Sequence, residues 1–419
     1  MVEVVHECCA GLDVHQATVV ACVLGGKSKP GTARRPGKLF KTFGSTNEAL
    51  RQLADWLQAE GVTHACMEAT GVYWMPVFAM MESIGEVEAV VVNARHVKNV
   101  PGRKTDAKDA EWLADLVRHG LVRASFVPAK PFRDLRDLTR YRRSLVETQA
   151  SERQRLIKLL ESAGIKLAGV LSDVFGLSGR AIVRALIAGT DTPRDMAGLA
   201  RGHARKKHAA LAKALEVRLE DHHRVMMQRQ LDRVESAEAD IAALDVEIDR
   251  RLEPYGEQMA ALIAIPGVER VVAATIIAEI GVDMSMFPTP AHIAAWAGVC
   301  PGNHQSGNKN KPASARKGNP YLKTALCNAA ISASRKTGSY FKAKYHKLKA
   351  RRGGGKAALA VAHKLLIAAY QVLRGRAFAD LGESYLDKRN LARTAARHVK
   401  QLRTLGYKVT IEPLAQPAI

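Results

Sequence analysis

Lys104-Thr105-Asp106-Ala107-Lys108-Asp109-Ala110-Glu111-Trp112-Leu113-Ala114-Asp115-Leu116 is the stretch whose reading decides the fold. It predicts a helix over residues 105–119, with Asp106 and Asp109 three apart at its start and therefore on one face. Acidic residues in a first helical turn are ordinary partners of the helix dipole. Their company sharpens the reading. Asp13 lies in a strand-like run far upstream, and Glu68 ends a second apolar run. Four carboxylates placed in that way can form a cage for divalent cations.

Upstream of the helix, residues 5–14 and 17–24 read as two strands joined by a tight His15-Gln16 turn, and residues 39–43 as a third. Residues 46–61 form an amphipathic helix that Thr46 or Asn47 can cap. Residues 64–68 make a short fourth strand, 72–84 a helix apolar enough to be buried, and 87–93 a β-branched fifth strand. The resulting order, β-β-β-α-β-α-β-α, is the ribonuclease H arrangement. In that arrangement the first strand, the fourth strand and the last helix offer carboxylates to one end of the sheet.

The charge balance says what such an end would meet. Lys and Arg number 63 against 41 Asp and Glu, a net +22 over 419 residues. Basic side chains cluster in residues 201–207, 309–317 and 389–403. A solvated face needs both signs, so this surplus points to nucleic acid. No basic run carries an aromatic apolar face, no apolar stretch reaches the roughly 18 residues that span a bilayer, and no signal peptide opens the chain. The expected setting is the cytoplasm, with no membrane partner. Cys8, Cys9, Cys22, Cys66, Cys300 and Cys327 lack zinc-ligand spacing with His and read as small hydrophobes in a reducing compartment.

Beyond residue 128 the chain turns helical and charged. Leu145, Glu152, Leu156 and Leu159 suggest one long helix. Leu211, Leu215, Leu219, Met226, Val234, Ile241, Leu244, Ile248 and Leu252 suggest a second. Together they predict an antiparallel coiled-coil hairpin, whose apolar stripe is narrow enough to favour pairing with another subunit over a core of its own. Ala261-Leu262-Ile263-Ala264-Ile265-Pro266-Gly267-Val268 followed by residues 273–281 has a helix-hairpin-helix pattern, with backbone N–H groups at Gly267 as a phosphate contact. Gly298-Val299-Cys300-Pro301-Gly302-Asn303-His304-Gln305-Ser306-Gly307-Asn308-Lys309 is a Gly/Asn-rich loop with a basic tail reaching Arg316-Lys317, and it tolerates close approach by a phosphate. The expected organisation is four regions: residues 1–128 α/β, 129–253 helical hairpin, 254–380 mostly helical, and 381–419 a basic helix and tail.

Gly11-Leu12-Asp13-Val14, Met67-Glu68-Ala69-Thr70-Gly71 and Lys104-Thr105-Asp106-Ala107-Lys108-Asp109-Ala110 resemble the motifs of the DEDD-type, RuvC-like transposases of bacterial insertion sequences, the bridge-RNA-guided serine recombinases of the IS one-ten and IS eleven-eleven group. With the later motifs, the resemblance covers nearly the whole chain. It implies a metal-dependent DNA transposase in which Asp13, Glu68, Asp106 and Asp109 hold one or two Mg²⁺ ions, with Mn²⁺ as a substitute. It implies that Ser306 is the nucleophile. Relatives often follow that serine with Gly-Gly-Lys, whereas this chain has Gly307-Asn308-Lys309, which keeps Ser314 as the second candidate. Partners implied are donor and target double-stranded DNA, a structured non-coding RNA, and further copies of the chain as a dimer or tetramer, in a bacterial cell and at the nucleoid. Arg103, Lys104, Lys108, Lys309, Lys311, Arg316 and Lys317 are the candidate phosphate contacts beside Gly267.

Two other readings stay open. In one, a RuvC-like endonuclease uses water as nucleophile and Ser306 only holds a phosphate. In the other, the chain binds nucleic acid without chemistry and the carboxylates are caps. Crowding four carboxylates would in either enzymatic reading destabilise the metal-free chain.

Overall fold

The computed structural model describes residues 3–25, 37–93, 97, 106–217, 219–302, 305–306, 309–310, 314–389 and 391–412. Arg103, Lys104 and Lys311 lie outside the described residues, as do the side chains of Asp106, Lys108, Ser306 and Lys309. The chain divides into two compact units, Met1–Val127 and Pro128–Ile419.

The first unit is a mixed α/β layer. Its strands are β1 (Cys9–Val14), β2 (Thr18–Leu24), β3 (Lys38–Gly44), β4 (His64–Glu68) and β5 (Glu88–Val92), and the sheet order is β3-β2-β1-β4-β5. β1 pairs antiparallel with β2 and β2 with β3, whereas β4 runs parallel to β1 and β5 parallel to β4. Among the described residues three helices cover it: α1 (Asn47–Ala59), α2 (Trp74–Ile84) and α3 (Asp106–Arg118). Thr46 caps α1 by accepting from the Ala49 N–H.

Period-two alternation divides each strand between two cores. Ala10, Leu12, Ala65 and Met67 share one with Leu50, Leu53 and Leu57 of α1 and Val77 and Met81 of α2. Cys9, Cys22, Cys66, Val90 and Val92 share the other with Ala110, Leu113, Ala114 and Val117 of α3. Burial pushes the thiols of Cys9, Cys22 and Cys66 up to about 12, which leaves them inert hydrophobes.

Two expectations are corrected here. The first strand begins at Cys9, not residue 5, because the Val5 and His6 N–H groups both donate to the Arg118 carbonyl at the end of α3. Helix α2 is not buried: only Val77 and Met81 are, and Met75 is exposed.

Gly11 shows how tightly α3 is seated. A Cβ added there would lie 2.0 Å from the Ala110 carbonyl oxygen and 2.5 Å from the Ala114 nitrogen, both backbone atoms that cannot swing aside. We expect Gly11→Val to lower stability by at least ~2 kcal/mol, seen as a lower urea midpoint. A midpoint like that of the native chain would show that α3 is not held against β1.

Among its described residues the second unit is helical apart from connecting loops and one short ribbon. Helices α4 (Lys130–Ser162), α5 (Leu177–Ala188), α6 (His208–Ala214) and α7 (Asp221–Leu252) come first. α4 and α7 pack antiparallel, with Arg142 bidentate on Asp245 (2.9 Å each) and Gln149 and Arg153 on Glu238 (3.0 and 2.7 Å). At the far end of the pair, Leu156, Leu160, Ile182, Leu186, Leu211, Leu215, Leu231 and Val234 bury one another in a small bundle. The stripe expected to be too narrow for a core therefore has one, because α5 and α6 fold back onto it. The second long helix is also shorter than expected. It starts at Asp221, while Leu211 and Leu215 belong to α6 and its C-cap, turned into that bundle.

The pair carries an acid-sensitive ladder. Burial raises Asp245 and Glu238, but hydrogen bonds from Arg142 and Arg270, and from Arg180 and Arg153, bring both net below the ordinary carboxylate range. A folded-state value below the unfolded one gives stability that is present above the unfolded value and lost as pH falls through the folded one. The helix pair should therefore loosen on acidification below ~pH 4, read by circular dichroism, and not on raising pH from 7 to 9.

The rest comprises α8 (Gly256–Ile263), α9 (Arg270–Ile280), α10 (Pro290–Ala297), the ribbon β6 (Gln305–Ser306) and β7 (Lys309–Asn310), α11 (Pro320–Ala333), α12 (Tyr340–Arg352), α13 (Gly354–Leu373) and α14 (Leu391–Thr404). By length and composition α13 is apolar enough to cross a bilayer, contrary to the expectation that no stretch is. Its Val361, Leu365, Leu366, Ala369 and Tyr370 are buried, and the Tyr370 hydroxyl donates to the Phe287 carbonyl, as in a core helix.

Candidate functional site

The sheet of the first unit brings two of the four acids side by side. Leu12 is registered with Met67 across the parallel β1–β4 pair, so Asp13 and Glu68 are the next residues on adjacent strands. By the pleat both project to the face of Gly11 and Cys66, the face that α3 covers. α3 runs antiparallel to β1: Arg118 meets Val5, Ala114 meets Cys9 (Sγ to carbonyl, 3.3 Å) and Ala110 sits over Gly11. Its N-terminal end therefore points towards Asp13. Asp109 directly precedes Ala110, and Asp106 opens the helix one turn further along.

Asp13 is about one-fifth exposed, and its Oδ2 lies 3.1 Å from His15 Nε2. Glu68 is half-buried and accepts from the Thr70 hydroxyl at 3.4 Å. Among the described residues no three His, Cys, Asp or Glu side chains gather closely enough to hold an ion. The donor set itself suits Mg²⁺: hard carboxylate oxygens on one face, at one end of a sheet, with neither Cys nor zinc-type His pairs. His15 was missed by sequence reasoning. Its signal is its position, two residues after Asp13 in the turn where its N–H donates to the Thr18 carbonyl.

The Gly/Asn-rich segment of the second unit is a ribbon with a stem. Gly302 N–H donates to the Ser314 carbonyl (2.9 Å), Arg316 N–H to the Cys300 carbonyl (3.2 Å), and Pro301 bridges Ala315. Further out, Gln305 pairs with Asn310 and Ser306 with Lys309. Gly298 and Gly318 close the base: a Cβ on Gly318 would fall 2.3 Å from the Gly298 nitrogen. The two serine candidates are thus separated. Ser314 is exposed and its carbonyl is held in the stem, whereas Ser306 lies in the outer strand pair. Arg316 and Lys317 are exposed beside the stem.

Pro266-Gly267 joins α8 to α9, with Gly267 at φ +81°. A Cβ there would meet the Ala329 carbonyl oxygen of α11 at 2.3 Å. Close helix packing is thus a sufficient reason for the glycine, before any phosphate is invoked.

A second group that sequence reasoning missed lies under the ribbon. Glu279 of α9 is fully buried, with Arg140 bidentate on its carboxylate (2.8 and 2.9 Å) and Arg136 Nε 3.0 Å away. Asn319 Nδ2 donates to Glu279 Oε2 at 2.6 Å. The Arg140 guanidinium also stacks on the Tyr321 ring, 4.3 Å from its centroid. Burial holds the Arg136 guanidinium below its ordinary value, opposed by Glu279. Removing the acid by Glu279→Ala leaves two half-buried guanidiniums without their partner and should cost about 3 kcal/mol in denaturant titration, the low end for a buried ion pair. A loss under ~1 kcal/mol would mean the pair is solvated in solution.

The chain is similar to known proteins along much of its length. Residues 10–165 match a family model of DEDD, IS110-type transposases, and residues 259–346 match the model described as transposase IS116/IS110/IS902 family. A Sinorhizobium fredii protein designated a transposase, y4qE, is 25% identical over 332 residues, covering 78% of this chain and 71% of its own. A Pseudomonas aeruginosa protein designated a family 20 transposase is 25% identical over 287 residues, covering 67% of this chain and 73% of its own.

Proposed function

We propose that this chain, a transposase of the IS110/IS116 type, cuts and rejoins DNA strands through a serine nucleophile and a carboxylate cage. The observation that carries the reading is the registered pair Asp13–Glu68 beneath the helix of Asp106 and Asp109. In this reading the sheet of the first unit is a ribonuclease H-like one, which its strand order supports. Asp13, Glu68, Asp106 and Asp109 hold one or two Mg²⁺ ions, or Mn²⁺ in their place. Bound there, the metal supplies positive charge for the phosphorane and the leaving oxygen.

Ser306 on its ribbon places a hydroxyl oxygen in line with the scissile phosphate. A P–O bond forms to that oxygen as the bond to the leaving sugar oxygen breaks. The serine proton passes to solvent, and the leaving oxygen takes up a proton from solvent. The phosphoserine ester conserves bond energy, so strands rejoin without ATP when a sugar hydroxyl attacks it and the serine leaves.

Arg103, Lys104, Lys108, Lys309, Lys311, Arg316 and Lys317, with the Pro266-Gly267 turn, grip phosphates. The net +22 leaves room for a structured guide RNA as well as duplex, and 5% aromatic content favours backbone contacts over base stacking. The test is to incubate the full chain with Mg²⁺, labelled duplex carrying the element's ends and the RNA transcribed from its flank. An SDS-resistant adduct that maps to the peptide holding Ser306 is expected; hydrolytic nicks without adduct would support water as nucleophile. Duplex binding should weaken with salt at a log–log slope of about −0.9 for each phosphate neutralised. A flat salt response would remove the charge argument.

A further inference from the structure

Glu279 has no part in the chemistry above, yet it is fully buried and collects two arginines from α4 and an asparagine from the end of the ribbon. Asn319 has two roles. Its Oδ1 accepts from the Tyr321 and Leu322 N–H groups and so caps α11, while its Nδ2 reaches Glu279. Its own N–H donates to the Trp296 carbonyl in α10, the helix from which the other arm of the ribbon leaves. Asn319 is therefore the point where the ribbon rejoins the helical core, and Glu279 is what fixes it. A buried ion cluster of this kind is seldom kept for stability, since apolar side chains of like volume often serve as well; it can instead select one arrangement.

We propose that Glu279 is a positioning residue for the Ser306 ribbon: through Asn319 it sets where the stem joins α11, and through Arg136 and Arg140 it ties that joint to α4. The proposal rests on the serine reading only for its consequence in catalysis; the mechanical claim stands apart from it. The geometry also supplies a clean variant. Serine is a good N-cap but too short to reach Glu279 from position 319. Asn319→Ser therefore keeps α11 capped while cutting the link.

Hydrogen exchange on the full chain, without any nucleic acid, tests the mechanical claim. In Asn319→Ser, the hydrogen-bonded stem amides of Gly302 and Arg316 should exchange on the order of 10-fold faster, with α4 and α7 unchanged. Unchanged stem exchange overturns the proposal, and so does faster exchange spread through all of α11, because the role would then be capping alone. With the element-end duplex and flank RNA, Asn319→Ser should bind duplex with native affinity but form adduct on the order of 10-fold more slowly. Glu279→Gln, which keeps the shape and one acceptor, should fall between Asn319→Ser and the native chain. Faster stem exchange in a background where Ser306→Ala remains fully active would sink the serine assignment and leave the positioning role standing.

Discussion

Asp13→Asn and Glu68→Gln should each lower strand cleavage on the order of 10³-fold while leaving the fold and duplex affinity intact. The magnitude follows from the several kcal/mol that a bound cation contributes to a phosphoryl transition state, at 1.36 kcal/mol per tenfold. Both side chains sit at strand ends and are partly exposed, so neither supports the cores on the two sheet faces. Loss of activity with an unchanged melting curve therefore separates a chemical from a structural role. If the acids were caps only, both variants would cleave normally. Comparison with His15→Ala adds resolution, since His15 touches Asp13 and would move activity less than the acid itself.

Ser306→Ala should abolish the SDS-resistant adduct altogether, whereas Ser314→Ala should keep it. The ribbon sets the two serines apart. Ser314 belongs to the stem, where its carbonyl holds Gly302, and Ser306 belongs to the outer pair with Lys309. The family motif makes Ser306 the expected nucleophile, and Ser314, although exposed, has its carbonyl engaged in the stem. Adduct retained in Ser306→Ala and lost in Ser314→Ala would reverse the assignment. Nicking without adduct in Ser306→Ala would return the chain to a water-using nuclease.

What was legible in advance follows from which residues carry periodic signals. β4 was bounded correctly because an apolar run ends abruptly at Glu68, and α3 was placed to within a residue at its described ends because Asp106 and Asp109 open it. The convergence of Asp13 with Glu68 was inferable once strand order was assumed, since parallel pairing of β1 and β4 sets their ends level. The ribbon was not legible: strands of two residues have no period to detect, and Gly298 and Gly318 show their purpose only when their backbones are seen to touch. Glu279 was hidden for a different reason. In Val271-Val272-Ala273-Ala274-Thr275-Ile276-Ile277-Ala278-Glu279-Ile280 a lone acid reads as the solvent side of a helix, and its partners lie 139 and 40 residues away in sequence. The bundle beyond the long helices was missed because the helices that complete its core are short and far apart in sequence, and they meet only in the fold.

The central claim is that acids from β1, β4 and α3 act as one cation site. Mn²⁺ binding, followed by electron paramagnetic resonance on the full chain and on Asp13→Asn/Glu68→Gln, tests it most directly. The native chain should hold one or two ions and the double variant none at the same concentration. Equal binding by both chains would contradict it.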